Sequence, residues 1–222
     1  HGVLEVLGRE QRARDLADDR VGGAGAALLL RADDLLGRRV GALVAAGAVG
    51  ASAATAPQLV KSADPKGDVA STLDLTRVSL TRGGDGRLRA SITLAADWDG
   101  KALLADAGPP GSVCLKAWTT TAPPDTTPDY LVCVTADAKG VLRGSVLHER
   151  ANKLPERVAA ADVSRPSGRT VNLRFPQSAI GSPAKLFVAA ESTRPGCSRV
   201  TCIDTAPDAP KTLTLTLKAA AK

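Results

Sequence analysis

Residues 87–94 read RLRASITL, and their alternation decides the fold class. Leu88, Ala90, Ile92 and Leu94 fall on one face of an extended chain, and Arg87, Arg89, Ser91 and Thr93 on the other. A period of two marks a strand with one dry and one wet face. The pattern recurs in TVNLRF, where Val171, Leu173 and Phe175 alternate with Asn172 and Arg174. It recurs again in TLTLTL, where Leu213, Leu215 and Leu217 alternate with threonines. DLTRVSLTR, SVCLKAWTT, DYLVCVTA, VLRGSVLHE, RVAAADVS and KLFVAAEST read as further strands. Turn chemistry separates them: RGGDGR at 82–87, DAKG at 137–140 and RPSG at 165–168, with longer Pro-rich loops in AGPPGS and TTAPPDTTPD. No stretch after residue 57 reads as a long helix, and FPQSAIGSP holds one short turn. About nine to ten short strands predict an all-β fold, an antiparallel β-sandwich with jelly-roll or immunoglobulin-like layering. A closed barrel is the alternative that periodicity leaves open.

The strand pattern starts near residue 70, and what precedes it has a different grammar. GRRVGALVAAGAVGASAATAPQ, from Gly37 to Gln58, opens on Arg38 and Arg39 and continues as an apolar run. It ends in small residues spaced as A-x-A at Ala51-Ser52-Ala53 and Ala54-Thr55-Ala56. This is the plan of a secretory signal. Cleavage is expected after Ala53, because the later site places Pro57 just beyond the cut. A membrane span needs about twenty apolar residues, more than this Gly- and Ala-rich run offers. The expected division is residues 1–37 as an extension outside the working protein and 38–53 as signal peptide. A linker and opening loop follow at 54–69, then the β domain at 70–218 and a tail at 219–222. The mature protein is expected to be secreted and to keep no membrane span.

Charge and cysteines agree with this division. Residues 1–53 balance 7 basic against 7 acidic groups, so the net +6 of the 222-residue chain lies beyond them. The basic residues are scattered among acids and hydrophobes, which predicts a solvated surface and no nucleic-acid partner. Cys114, Cys133, Cys197 and Cys202 all follow the signal. An even count in an exported chain reads as disulfides. Of three connectivities, Cys114–Cys133 and Cys197–Cys202 are expected. The first joins neighbouring strands and is worth roughly 3 kcal/mol in the chain-entropy model. A zinc site is the rival, and C-x4-C with no nearby His is poor zinc spacing.

No H-E-x-x-H, G-x-S-x-G or P-loop occurs. His148 is the one histidine after the signal, which removes most His-based triads. The chain is therefore expected not to be an enzyme. Three roles remain: a non-catalytic binding module for glycan, cell envelope or an extracellular protein; a secreted inhibitor presenting Arg199 on the Cys197–Cys202 loop; or a structural envelope protein.

SADPKGDVASTLDLTRVSLTRGGDGRLRASITLA places an Asp-x-x-Gly-Asp turn before the first patterned strands, and RPGCSRVTCIDTAPD runs a Cys-bounded loop into a last strand. These segments resemble DOMON-like and carbohydrate-binding-module family nine-like sandwiches of secreted bacterial proteins. The resemblance implies a structural calcium held by acids of the first loop, here Asp64, Asp68 and Asp74, with backbone carbonyls near Lys66 and Gly67. Calcium takes six to eight oxygen ligands in flexible geometry, which a carboxylate-rich loop supplies. The bland reading is a simple turn. Haem binding in such domains uses Met and His, and this chain has no Met. Sugar binding in related modules uses exposed aromatic platforms, so Trp98, between two acids in AADWDG, and Tyr130 are the candidates. Trp118 is expected to pack against a sheet.

Overall fold

The computed structural model describes residues 58–69, 71–120, 127–197 and 199–217. The expected extension, signal peptide and tail lie outside the described residues. Eleven strands follow in order. They are β1 (Gln58–Ala63), β2 (Leu75–Arg82), β3 (Arg87–Leu94), β4 (Ser112–Trp118), β5 (Tyr130–Ala136) and β6 (Leu142–His148). The rest are β7 (Glu156–Ser164), β8 (Thr170–Pro176), β9 (Lys185–Thr193), β10 (Ile203–Ala206) and β11 (Leu213–Thr216). Short 3-10 turns cover Gly100–Leu103, Gln177–Ile180 and Val200–Cys202. The chain is thus all-β, as the period-two pattern predicts.

Every pairing is antiparallel, and the hydrogen-bonded order is β1-β2-β3-β8-β7-β6-β5-β4-β9-β10. One strand joins the two halves of this path. The first part of β7 pairs with β6, and its last three residues, Asp162 to Ser164, pair with β8. Close approach at the junction needs a residue without a side chain: a Cβ on Gly144 of β6 would lie 2.2 Å from the Ala161 carbonyl oxygen. At the far end, the free edge of β9 is shared. β10 pairs with its last four residues and β11 with its first four. The sheet curls until β1 packs beside β11 and β2 beside β10, so it is nearly closed like a barrel. One continuous ladder joins the two halves, because β7 pairs with both β6 and β8.

A single core fills the curl. Leu88, Ala90, Ile92 and Leu94 are buried, as are Val171, Leu173 and Phe175, while Arg87, Arg89 and Arg174 of the same strands face outward. From the opposite wall come Val113, Leu115, Val132, Val134 and Val188. Each such side chain contributes roughly 1.5–3 kcal/mol on burial. The expected disulfides both form, Cys114–Cys133 and Cys197–Cys202. Cys114 and Cys133 are direct cross-strand partners in the β4–β5 ladder. No helix among the described residues is long and apolar enough to cross a membrane.

β1 and β10 are the strands that the periodicity misses. Residues 54–69 are expected to be linker and opening loop, yet six of them pair with residues 77–82 of β2. Neither strand alternates cleanly: QLVKSA sets Leu59 beside Val60, and IDTA puts Asp204 on the buried parity and Ile203 on the exposed one.

Candidate cation site

The loop from β1 to β2 begins with Asp64, whose N–H continues the ladder by donating to the Thr76 carbonyl at 2.9 Å. Gly67 sits at φ +88, in the left-handed region where L side chains are strained, and its N–H donates to Asp74 Oδ2 at 2.9 Å. Asp74, immediately before β2, is 3% exposed. The loop therefore folds Asp64 and Asp74 inward and leaves Asp68 at the surface above them.

β9 and β10 close over this loop. Ser192 Oγ donates to the Leu73 carbonyl at 2.6 Å, and Asp204 Oδ2 accepts the Leu75 N–H at 2.6 Å. Asp204 is 4% exposed, while its neighbour Ile203 faces solvent. Asp208 follows at the surface in the turn after β10. The result is a cluster of five aspartates from the two ends of the β domain.

Carboxylate oxygens of Asp64, Asp68 and Asp208 lie within 4.8 Å of one another, and so do those of Asp68, Asp74 and Asp204. Asp68 belongs to both groups. Two oxygens bound to one calcium at about 2.4 Å can be up to about 4.8 Å apart, so both groups have the spacing of a shared cation. Both Asp64 carboxylate oxygens and Asp74 Oδ1 are buried with no hydrogen-bond donor. A buried carboxylate without a donor is costly, and it is relieved by taking up a proton or a cation.

The electrostatics express the same tension. Burial pushes the Asp64 carboxyl up to about 7, and the charges of Asp204, Asp208, Asp68 and Asp74 add to the rise. Burial also raises Asp204, against the lowering effect of the Leu75 N–H bond, and Asp68 and Asp74 push it further. The donor set is all oxygen, with no His or Cys, which suits a hard divalent cation.

The three acids expected from sequence therefore do come together. Asp204 and Asp208 were missed. The available signal is local: Asp204 shares the inward parity of IDTA with Ala206, and Ile203 faces out. An acid on the dry parity of a strand calls for a partner, but which loop supplies it depends on topology.

The aromatic candidates are placed differently. Trp98 is 6% exposed, so the expected exposed platform is buried. Its Nε1 donates to the Arg169 carbonyl, and the Arg165 guanidinium covers the ring with its carbon 4.9 Å from the centroid. Asp97 and Asp99 on either side of it are exposed. Trp118 is buried as expected, with Lys116 Nζ over its ring. Tyr130 is half-buried and stacks on its cross-strand partner His148, with centroids 4.9 Å apart. No protein-family model matches this chain, and neither does a curated protein or a solved structure.

Proposed function

We propose that the chain is a secreted, non-catalytic β-sandwich binding module, directed at glycan or cell envelope, whose opening loop and closing strands are stapled by calcium. The observation that carries the cation is the set of buried, donor-less carboxylate oxygens on Asp64 and Asp74. The five-aspartate shell supplies a hard donor set. Two disulfides support the extracellular assignment, since such bonds persist in oxidising compartments. The resemblance to DOMON-like and family nine-like modules supports the layered reading and the binding role.

Calcium titration followed by thermal unfolding tests the staple. At a calcium concentration 100-fold above Kd the stabilisation is about 2.7 kcal/mol, a rise of roughly 5–10 °C for a domain of this size. Asp68→Ala should abolish the rise, because Asp68 belongs to both oxygen groups. An unchanged midpoint in millimolar calcium overturns the site. A glycan array tests the binding role. The exposed Arg199 on the Cys197–Cys202 ring supports a second reading, a secreted proteinase inhibitor, tested by trypsin inhibition and its loss in Arg199→Ala.

A further inference from the structure

The opposite end of β2 carries a second charged site. Where the β2–β3 hairpin turns, a cavity of about 370 Å³ is lined by Arg82, Arg87, Arg89, Arg174 and Asp85, with the glycines of the turn as its lip. That volume lies within the range of small-ligand pockets, roughly 300–1,000 Å³. Four arginines line it, and among the described residues two acids, Asp85 and Asp162, form ion pairs with them.

The pairing pattern leaves positive charge over. Arg89 and Arg174 are direct cross-strand partners, an arrangement that repels unless an anion sits between them. Arg174 is held by Asp85, and Arg87 Nη2 by Asp162 at 2.8 Å. Arg82 Nε donates to Gln177 Oε1 at 2.9 Å. Arg89 makes no ion pair among the described residues, and Arg87 Nε is buried without an acceptor. The acids thus orient two of the arginines without neutralising the group.

Three of the arginine side chains, Arg82, Arg87 and Arg174, are held in place by those partners. The turn is closed by the Gly83 N–H to the Arg87 carbonyl at 2.8 Å and by the Arg87 N–H to Asp85 Oδ1 at 3.1 Å. Guanidinium groups fixed on a sheet bind planar or tetrahedral oxyanions through paired N–H donors, with little ordering left to do. No aromatic side chain lines the cavity, so it lacks the stacking surface that single-stranded nucleic acids use.

We infer that this arginine pocket is an anion subsite that binds the carboxylate or sulfate group of an acidic saccharide. The inference names a ligand class for the binding module proposed above and does not depend on the calcium staple, which lies at the far end of β2.

The test is binding by the full β domain, with calcium present, to three probes: a uronic-acid oligosaccharide, a sulfated oligosaccharide and a neutral one of equal length. Arg89→Gln is the informative variant, because Arg89 is exposed and supports no ion pair, so its midpoint of unfolding should stay at the wild-type value. At least one acidic probe should bind in a salt-sensitive way and weaken about tenfold or more in Arg89→Gln, and the neutral probe should not compete. The acidic probe that binds identifies carboxylate or sulfate as the source. Arg87→Gln should weaken the same probe, as a second reading of the pocket. Equal binding to wild type and both variants overturns the site. Binding of the neutral probe as tight as the acidic one overturns the anionic ligand and leaves the glycan-binding reading standing. Absence of binding to all three overturns the inference, and a glycan array negative throughout is the separate result that removes the glycan reading. Oligonucleotide binding that is tighter than either acidic probe and is lost in Arg89→Gln overturns the saccharide assignment.

Discussion

At one end of β2, five aspartates crowd around the β1–β2 loop; at the other, four arginines ring a hairpin about 23 Å away. The acidic end buries Asp64, Asp74 and Asp204 beneath the exposed Asp68 and Asp208, and three of its oxygens lack any donor. The basic end is half open to water, and two of its arginines already hold acids. Burial makes the difference. Like charges in water repel weakly and are screened, whereas like charges under a closed strand pair shift their protonation or recruit a counter-ion. The acidic end should therefore govern stability and the basic end should leave it nearly untouched.

Withdrawing calcium should have the largest effect, a fall of the unfolding midpoint by roughly 5–10 °C relative to protein at 100-fold Kd. Calorimetry with and without chelator reads it directly. An equal fall caused by chelator in Asp68→Ala would place the effect elsewhere.

The pH response of the calcium-free protein sharpens the same point. Asp64 titrates near 7 when folded and near the ordinary carboxyl value of 3.8 when unfolded. The folded state therefore holds more protons between those values, and stability should fall as pH rises from about 4 to about 7. Calcium should flatten or reverse that slope, and binding it near pH 6 should release a proton, measurable by titration calorimetry in two buffers of different ionisation enthalpy. A calcium-free midpoint that rises steadily over this range would contradict the buried cluster.

Asp64→Asn should separate the two roles of one side chain. It removes a repelling charge, so the calcium-free midpoint at pH 8 should rise by about 2–4 °C while the response to calcium is lost. A drop in the calcium-free midpoint would mean that Asp64 is not under strain. The smallest effect is expected at the basic end. Arg174→Gln breaks an exposed pair with Asp85 and should leave the unfolding midpoint nearly unchanged, the more so at high salt. A fall as large as that caused by withdrawing calcium would erase the contrast between the two ends.

Alternation made most of this fold legible. RLRASITL, TVNLRF and TLTLTL each place their apolar residues where the parity says, and the hairpin at 82–87 and the turn at 137–140 fall where Gly and Asp cluster. What alternation could not show is how strands distant in sequence meet. The first-loop acids Asp64, Asp68 and Asp74 were visible, but Asp204 and Asp208 join them only because β10 lies on the edge of β9 beside β2. Trp98 shows a different failure. Its flanking acids suggested exposure, yet it lies in the loop after β3, where the distant 165–169 segment covers it through Arg165, Gly168 and Arg169. The arginine pocket was readable as a strand's wet face, and its convergence depended on the β3–β8 register that sets Arg89 against Arg174.

The latch between β10 and the opening loop has a consequence for how this molecule is born. Asp204 bonds to Leu75 across 129 residues, and Ser192 to Leu73 across 119. Contacts so remote in sequence form late and slow folding, because the intervening chain must be ordered first. A chain emerging N-terminus first, from a ribosome or through a membrane pore, carries an unfinished rim until almost its last residues are out. A cation taken up by the acidic loop before the strands that bury it arrive would hold the loop ready for them to seal.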